Sequence, residues 1–96
     1  MKTISATDLT RDLVRLRSIN PPGDESACAN LLAGILEGGG FKVSTHDLAP
    51  GRTNIVARLD GASDDEPLCM TGHMDTVPLG AAPWQRDPLA AERDGD

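Results

Sequence analysis

Apolar positions recur along the first forty residues at helical spacing. Leu9, Leu13 and Leu16 fall at i, i+4 and i+7 on one stripe, while Arg11, Arg15 and Arg17 lie mostly outside it. Thr7-Asp8 opens this helix and Asn20-Pro21-Pro22-Gly23 stops it, because the residue before a proline avoids the α region and a proline cannot donate. A second helix is predicted from about Glu25, where Cys28, Leu31, Leu32, Ile35 and Leu36 form a continuous apolar face. Gly38-Gly39-Gly40 supplies its left-handed exit. The period then changes to two: Phe41, Val43 and Thr45 alternate with Lys42, Ser44 and His46, as in a half-exposed strand. Ala49-Pro50-Gly51 is a turn, and residues 54–59 form a second strand.

After the polar loop at residues 60–65, Leu68, Cys69, Met70 and Thr71 read as a short buried strand that ends at Gly72. From Gly80 onward no period is visible, and Pro78, Pro83 and Pro88 interrupt the chain. A long irregular segment of this kind is either functional or disordered. Arg93-Asp94-Gly95-Asp96 reads as the turn of a hairpin without its second strand. The class is α/β, with two helices and an unfinished sheet, and the chain looks like the front piece of something larger.

Composition narrows the options. With 96 residues, 39% of them hydrophobic, the chain suffices for one small domain, which buries roughly two-thirds of its unfolded surface. Aromatic residues are confined to Phe41 and Trp84, so the core rests on Leu, Ile, Val and Ala. The net charge of −6 argues against nucleic acid or an anionic membrane as partner. From residue 60 onward acidic side chains outnumber Arg86 and Arg93, which suits a cation better than a phosphate, although Asp64-Asp65-Glu66 also reads as a solvated surface. The residues after Met1-Lys2 hold no apolar secretory core, and no apolar run approaches the roughly 20 residues of a membrane span. Cys28 and Cys69 match no metal spacing and read as buried free thiols, which makes the expected location cytoplasmic.

The chemistry-bearing segment is Gly72-His73-Met74-Asp75. If the backbone stays extended, His73 and Asp75 point to the same side. A carboxylate that accepts from one ring nitrogen fixes the tautomer and leaves the other nitrogen for a metal. His73 is therefore a candidate metal ligand, and Asp75 a candidate catalytic residue that orients it. On residues alone His73 is equally readable as a structural hydrogen-bonder, and Asp75 as the start of a local turn. His46 lies on the exposed side of its strand. Trp84 either lines a substrate cleft or covers the open core edge, and Asp87-Pro88 initiates a turn. One His-x-Asp pair does not complete a metal centre, because catalytic zinc takes three protein ligands or shares ligands between two metals.

Gly72-His73-Met74-Asp75-Thr76-Val77-Pro78, followed by Trp84, by Asp87-Pro88-Leu89 and by Asp94-Gly95-Asp96, resembles the zinc-dependent aminoacylase family. That family includes acetylornithine deacetylase, succinyl-diaminopimelate desuccinylase and glutamate carboxypeptidase. Ser18-Ile19-Asn20-Pro21-Pro22-Gly23 and Arg52-Thr53-Asn54-Ile55-Val56-Ala57 fit the same pattern. The resemblance implies that residues 1–96 are the N-terminal portion of a co-catalytic zinc exopeptidase-like catalytic domain, with a mixed sheet flanked by helices. It implies His73 as a ligand of one of two zinc ions, with cobalt an occasional substitute, and Asp75 as the carboxylate that orients it. The implied reaction is hydrolysis of the amide bond of an N-acyl amino acid or small peptide by a homodimeric parent protein. Leu89 stands where phenylalanine is usual. The bridging aspartate, the glutamate base, the acidic ligand, the second histidine and the dimerisation domain of the pattern have no counterpart here, so the chain alone is expected to be inactive. The alternative is a non-catalytic α/β fragment or binding module in which His73 is structural.

Overall fold

The computed structural model describes residues 3–95. The element order is α1 (Ala6–Arg15), α2 (Ser26–Gly38), β1 (Lys42–Ala49) and β2 (Arg52–Arg58). Residues 1–2, and Asp96 with which the expected hairpin turn closes, lie outside the described residues.

Helix α1 is set by its cap. Ser5 is extended, and its Oγ accepts the Asp8 N–H at 3.0 Å, satisfying one of the free donors of the first turn. Its far end differs from expectation. The Leu16 N–H turns back to Leu13 O at 3.1 Å and Arg17 adopts φ +41°, so the helix ends before the prolines are reached. The αL residue just past the cap closes the helix, and Asn20-Pro21-Pro22 belongs to the connection that follows.

Helix α2 ends as its glycines predict. The Phe41 N–H bonds to Leu36 O and the Gly40 N–H to Glu37 O, both at 3.0 Å, with Gly40 at φ +92°. This is the Schellman arrangement, which only a residue free of Cβ strain adopts readily. Cys28 and Ala29 on α2 are the fully buried apolar residues, and the Cys28 thiol lies 3.9 Å from Leu13 O of α1. The leucine stripe of α1 and the remaining apolar face of α2 are half-buried around this point.

Strands β1 and β2 form an antiparallel hairpin across the Pro50-Gly51 turn, in a register that runs from Lys42 opposite Arg58 to Ala49 opposite Arg52. A bulge between Asp47 and Ala49 turns Leu48 out to solvent. α2 packs on both strands. Ile55 and Ala57 of β2 and Val43 of β1 are half-buried, while Val56 faces outward.

The expected buried strand at residues 68–71 is not observed. That stretch lies outside any strand, with Leu68 and Met70 each 86% exposed. Cys69 is exposed as well, so of the two expected buried thiols only Cys28 is buried. A short apolar run becomes a buried strand only when neighbours take up its N–H and C=O groups and cover its faces. Among the described residues β1 and β2 pair only with each other, and the run pairs with neither of their free edges. The chain is accordingly open. Its radius of gyration is 15.8 Å, against about 12.5 Å for a compact domain of this length. Its accessible surface is 7777 Å², against about 5300 Å² for a folded protein of this mass. No helix among the described residues is long and apolar enough to cross a membrane.

Replacing Ser5 with alanine is expected to cost about 1 kcal/mol, the usual worth of an N-cap side chain. The measurement is a urea titration, in which the midpoint falls while the slope stays constant. An unchanged midpoint contradicts the capping role.

Candidate metal centre

Residues 73–75 are held by a short parallel pairing with the connection between the two helices. The Asn20 N–H donates to Thr76 O at 2.8 Å and the Thr76 N–H to Ser18 O at 2.9 Å. Ile19 and Thr76 thereby form an isolated parallel bridge, and the buried Ser18 hydroxyl adds a bond to Met74 O at 2.7 Å. This contact fixes the backbone on which the histidine and aspartate are carried.

His73 Nδ1 lies 2.8 Å from Asp75 Oδ1 and 2.9 Å from the Asp75 carbonyl oxygen. Both partners are acceptors, so the geometry assigns the proton to Nδ1 and leaves the lone pair on Nε2. The ring is 83% exposed, and Nε2 has no hydrogen-bond partner among the described residues. The other carboxylate oxygen of Asp75 is engaged separately. Asn20 Nδ2 donates to Oδ2 at 3.0 Å, and Arg52 Nη2 stands 3.7 Å from the same atom. Arg52 in turn donates from Nε to Glu25 Oε2 at 2.9 Å, and Glu25 is only 5% exposed. Gly23, at φ +74°, makes room for this arginine: a Cβ there would stand 2.6 Å from Arg52 Nη1.

The electrostatics follow from these contacts. The Asn20 amide, and after it the His73 ring, hold the Asp75 carboxyl below the usual carboxylate range. The hydrogen bond to the Asp75 carboxylate, and then that to its carbonyl, raise His73 above its ordinary value.

The structure thus brings His73 and Asp75 together, although the segment is not a strand as the alternation argument assumed. An open cleft of about 1550 Å³ lies between the α2 and β2 surface and residues 60–75, and both residues line it. His46 stays exposed on β1, 3.1 Å from Ser44 Oγ. Trp84 is 59% exposed, donates Nε1–H to Leu79 O at 3.0 Å, and stands outside that cleft. Asp87-Pro88 forms the expected turn, with the Leu89 N–H on Asp87 Oδ1 at 2.9 Å. Asp64, Asp65 and Glu66 are solvated. No group of three or more His, Cys, Asp or Glu side chains disposed to hold a metal occurs among the described residues. The donor set therefore fits one ligand of a cation site and its orienting carboxylate.

Ser18, Glu25 and Arg52, and the Asn20 side chain as a partner of Asp75, are site components that residue-by-residue reading misses. Asn20 reads as part of a helix stop and Arg52 as the entry to a strand. The Asn20–Asp75 bond spans 55 positions, so no local period signals it.

The chain is similar to succinyl-diaminopimelate desuccinylases of several bacteria, in line with the family resemblance of its motifs. It is 43% identical over 91 residues to that of Gluconobacter oxydans, with 92% of this chain and 23% of the relative covered. The relative from Gluconacetobacter diazotrophicus is 42% identical over 94 residues, covering 94% of this chain and 23% of the relative. That from Cereibacter sphaeroides is 38% identical over 90 residues, covering 93% and 23%. The chain thus spans about a quarter of the length of the curated relatives it matches. No family model and no solved structure matches it.

A raised histidine value means that the folded state holds the proton more tightly than the unfolded chain. The associated stability is fully present below the ordinary value of 6.5 and is lost as the pH rises through the folded value. Proton NMR of the His73 ring is expected to show a midpoint above 6.5 in the native chain and a lower one in Asp75→Asn. A native midpoint at or below 6.5 contradicts the bracing contact.

Proposed function

We propose that residues 1–96 are the N-terminal portion of the catalytic domain of a metal-dependent hydrolase. The enzyme cleaves the amide bond of N-acyl amino acids or small peptides, as a deacylase or desuccinylase. The observation that carries this reading is the His73 ring at the cleft, braced at Nδ1 by Asp75 and 83% exposed. The relatives, succinyl-diaminopimelate desuccinylases by name, support a succinylated amino acid as the substrate class. The bare run at residues 68–71 and the excess surface fit a domain that is completed by further chain.

In this reading Nε2 of His73 would hold a divalent cation, zinc or alternatively cobalt, one of two in the complete site. Asp75 keeps the ring in the required tautomer and raises its basicity as a donor. The cation supplies Lewis acidity at the scissile carbonyl. The remaining ligands, the glutamate base and the dimerisation domain belong to the rest of a homodimeric, cytoplasmic parent protein. The charge of −6 supports a small-molecule substrate, with neither nucleic acid nor a membrane as partner.

The competing reading is a non-catalytic module with a structural His73, in keeping with the lack of a three-ligand cluster among the described residues. A structural histidine, however, gains by pairing both ring nitrogens in the interior, and this one leaves Nε2 free and its ring in solvent.

Calorimetric titration with zinc decides between them. The native chain is expected to bind zinc weakly through the His73 imidazole, and His73→Ala to keep only the weaker binding of the exposed His46. Equal binding by both chains sinks the ligand assignment. Neither chain is expected to hydrolyse an N-succinyl amino acid, since catalytic zinc needs about three protein ligands. Zinc-dependent turnover by the purified 96-residue chain would overturn the half-site account.

A further inference from the structure

We infer that Asn20 and Arg52 are positioning residues for His73, acting through Asp75: they hold one carboxylate oxygen so that the other stays on the ring. The inference rests on the proposed role of His73 as a cation ligand, and it assigns the residues that make that role possible.

A carboxylate has two equivalent oxygens and turns freely about its last bond unless something distinguishes them. Here the two are distinguished. Oδ1 faces His73 Nδ1 at 2.8 Å, while Oδ2 takes the Asn20 amide at 3.0 Å with the Arg52 guanidinium at 3.7 Å. A neutral imidazole left to solvent samples both tautomers. One locked against a fixed acceptor at Nδ1 presents Nε2 as an open lone pair.

The guanidinium is itself fixed. Its Nε donates to the buried Glu25 at 2.9 Å, and the side chain crosses the Gly23 backbone at a distance no Cβ would permit. The Glu25 N–H also bonds to Gly51 O at 2.8 Å, which ties the entry of α2 to the turn that precedes Arg52. Arg52 therefore joins three parts of the chain that share no local sequence: the connection after α1, the start of β2, and residues 73–76. Arginine suits this post because Nε donates to one carboxylate while the delocalised charge of the same group pairs with a second at 3.7 Å. Asn20 adds a neutral donor that sets Oδ2 apart without introducing a competing charge.

The test reads the ring tautomer directly. Nitrogen-15 NMR of the metal-free chain, at a pH where His73 is neutral, is expected to show the Nδ1–H form predominating. In Asn20→Leu and Arg52→Gln it should give way to a mixture of the two tautomers, while amide dispersion and urea midpoint report that each variant is folded. Arg52→Lys, which restores a cation but not the fork, should recover part of the native population. Zinc affinity should fall roughly 10- to 100-fold in the first two variants, the usual effect of losing an outer partner of a ligand. Unchanged tautomer populations in the folded variants overturn the inference. If Arg52→Gln does not fold, Asn20→Leu decides alone, because the side-chain bond it removes goes to Asp75. A tautomer that responds in a chain that binds no zinc upholds the positioning role and sinks the ligand assignment of His73. Zinc binding with an unresponsive tautomer does the reverse.

Discussion

The short parallel pairing between residues 18–20 and 74–76 is the contact on which the arrangement depends. Residues 60–75 run without a strand partner, and their apolar side chains at Leu68 and Met70 lie in solvent. What returns this excursion to the body of the protein is a pair of backbone bonds between Asn20, Thr76 and Ser18, with the Ser18 hydroxyl on Met74. Those bonds lie next to the residues that carry the candidate chemistry. A loop otherwise free to move is thus pinned where precision is required, in keeping with functional groups carried on loops that a scaffold positions.

From that anchor the polar contacts run outward in order. Glu25, buried at the entry of α2, holds Arg52; Arg52 and Asn20 hold Asp75; and Asp75 holds His73. Burial is greatest at the glutamate, intermediate at Arg52 and Asp75, and least at the histidine ring, which lies in solvent. The geometry is therefore enforced from the interior, where side chains cannot swing, toward the one group whose ring lies in solvent. A buried carboxylate is costly unless paired. Here the pairing cation also extends to a second carboxylate at the site.

The rest of the structure is held less firmly. Its fully buried apolar residues are Cys28 and Ala29, and most of the apolar faces of the two helices are only half covered. The surface exceeds that of a compact protein of this mass, and much of the excess belongs to apolar residues, Leu48, Leu68, Met70 and Val77 among them. The hydrophobic effect therefore favours anything that covers these residues.

By itself the sequence determined what is local. The helices and the hairpin follow from periods of 3.6 and 2, and the Schellman end of α2 follows from its glycines. The His73–Asp75 pair follows from two positions separated by one residue, where proximity is guaranteed by chain length. Tertiary structure decided what depends on distant partners. Whether Leu68 to Thr71 is a buried strand rests on neighbours that local pattern does not supply, so the same apolar run is consistent with either state. The roles of Asn20, Arg52 and Glu25 likewise emerge only when segments tens of residues apart meet. A hydrogen bond between side chains distant in the chain leaves no period, spacing or composition by which to read it.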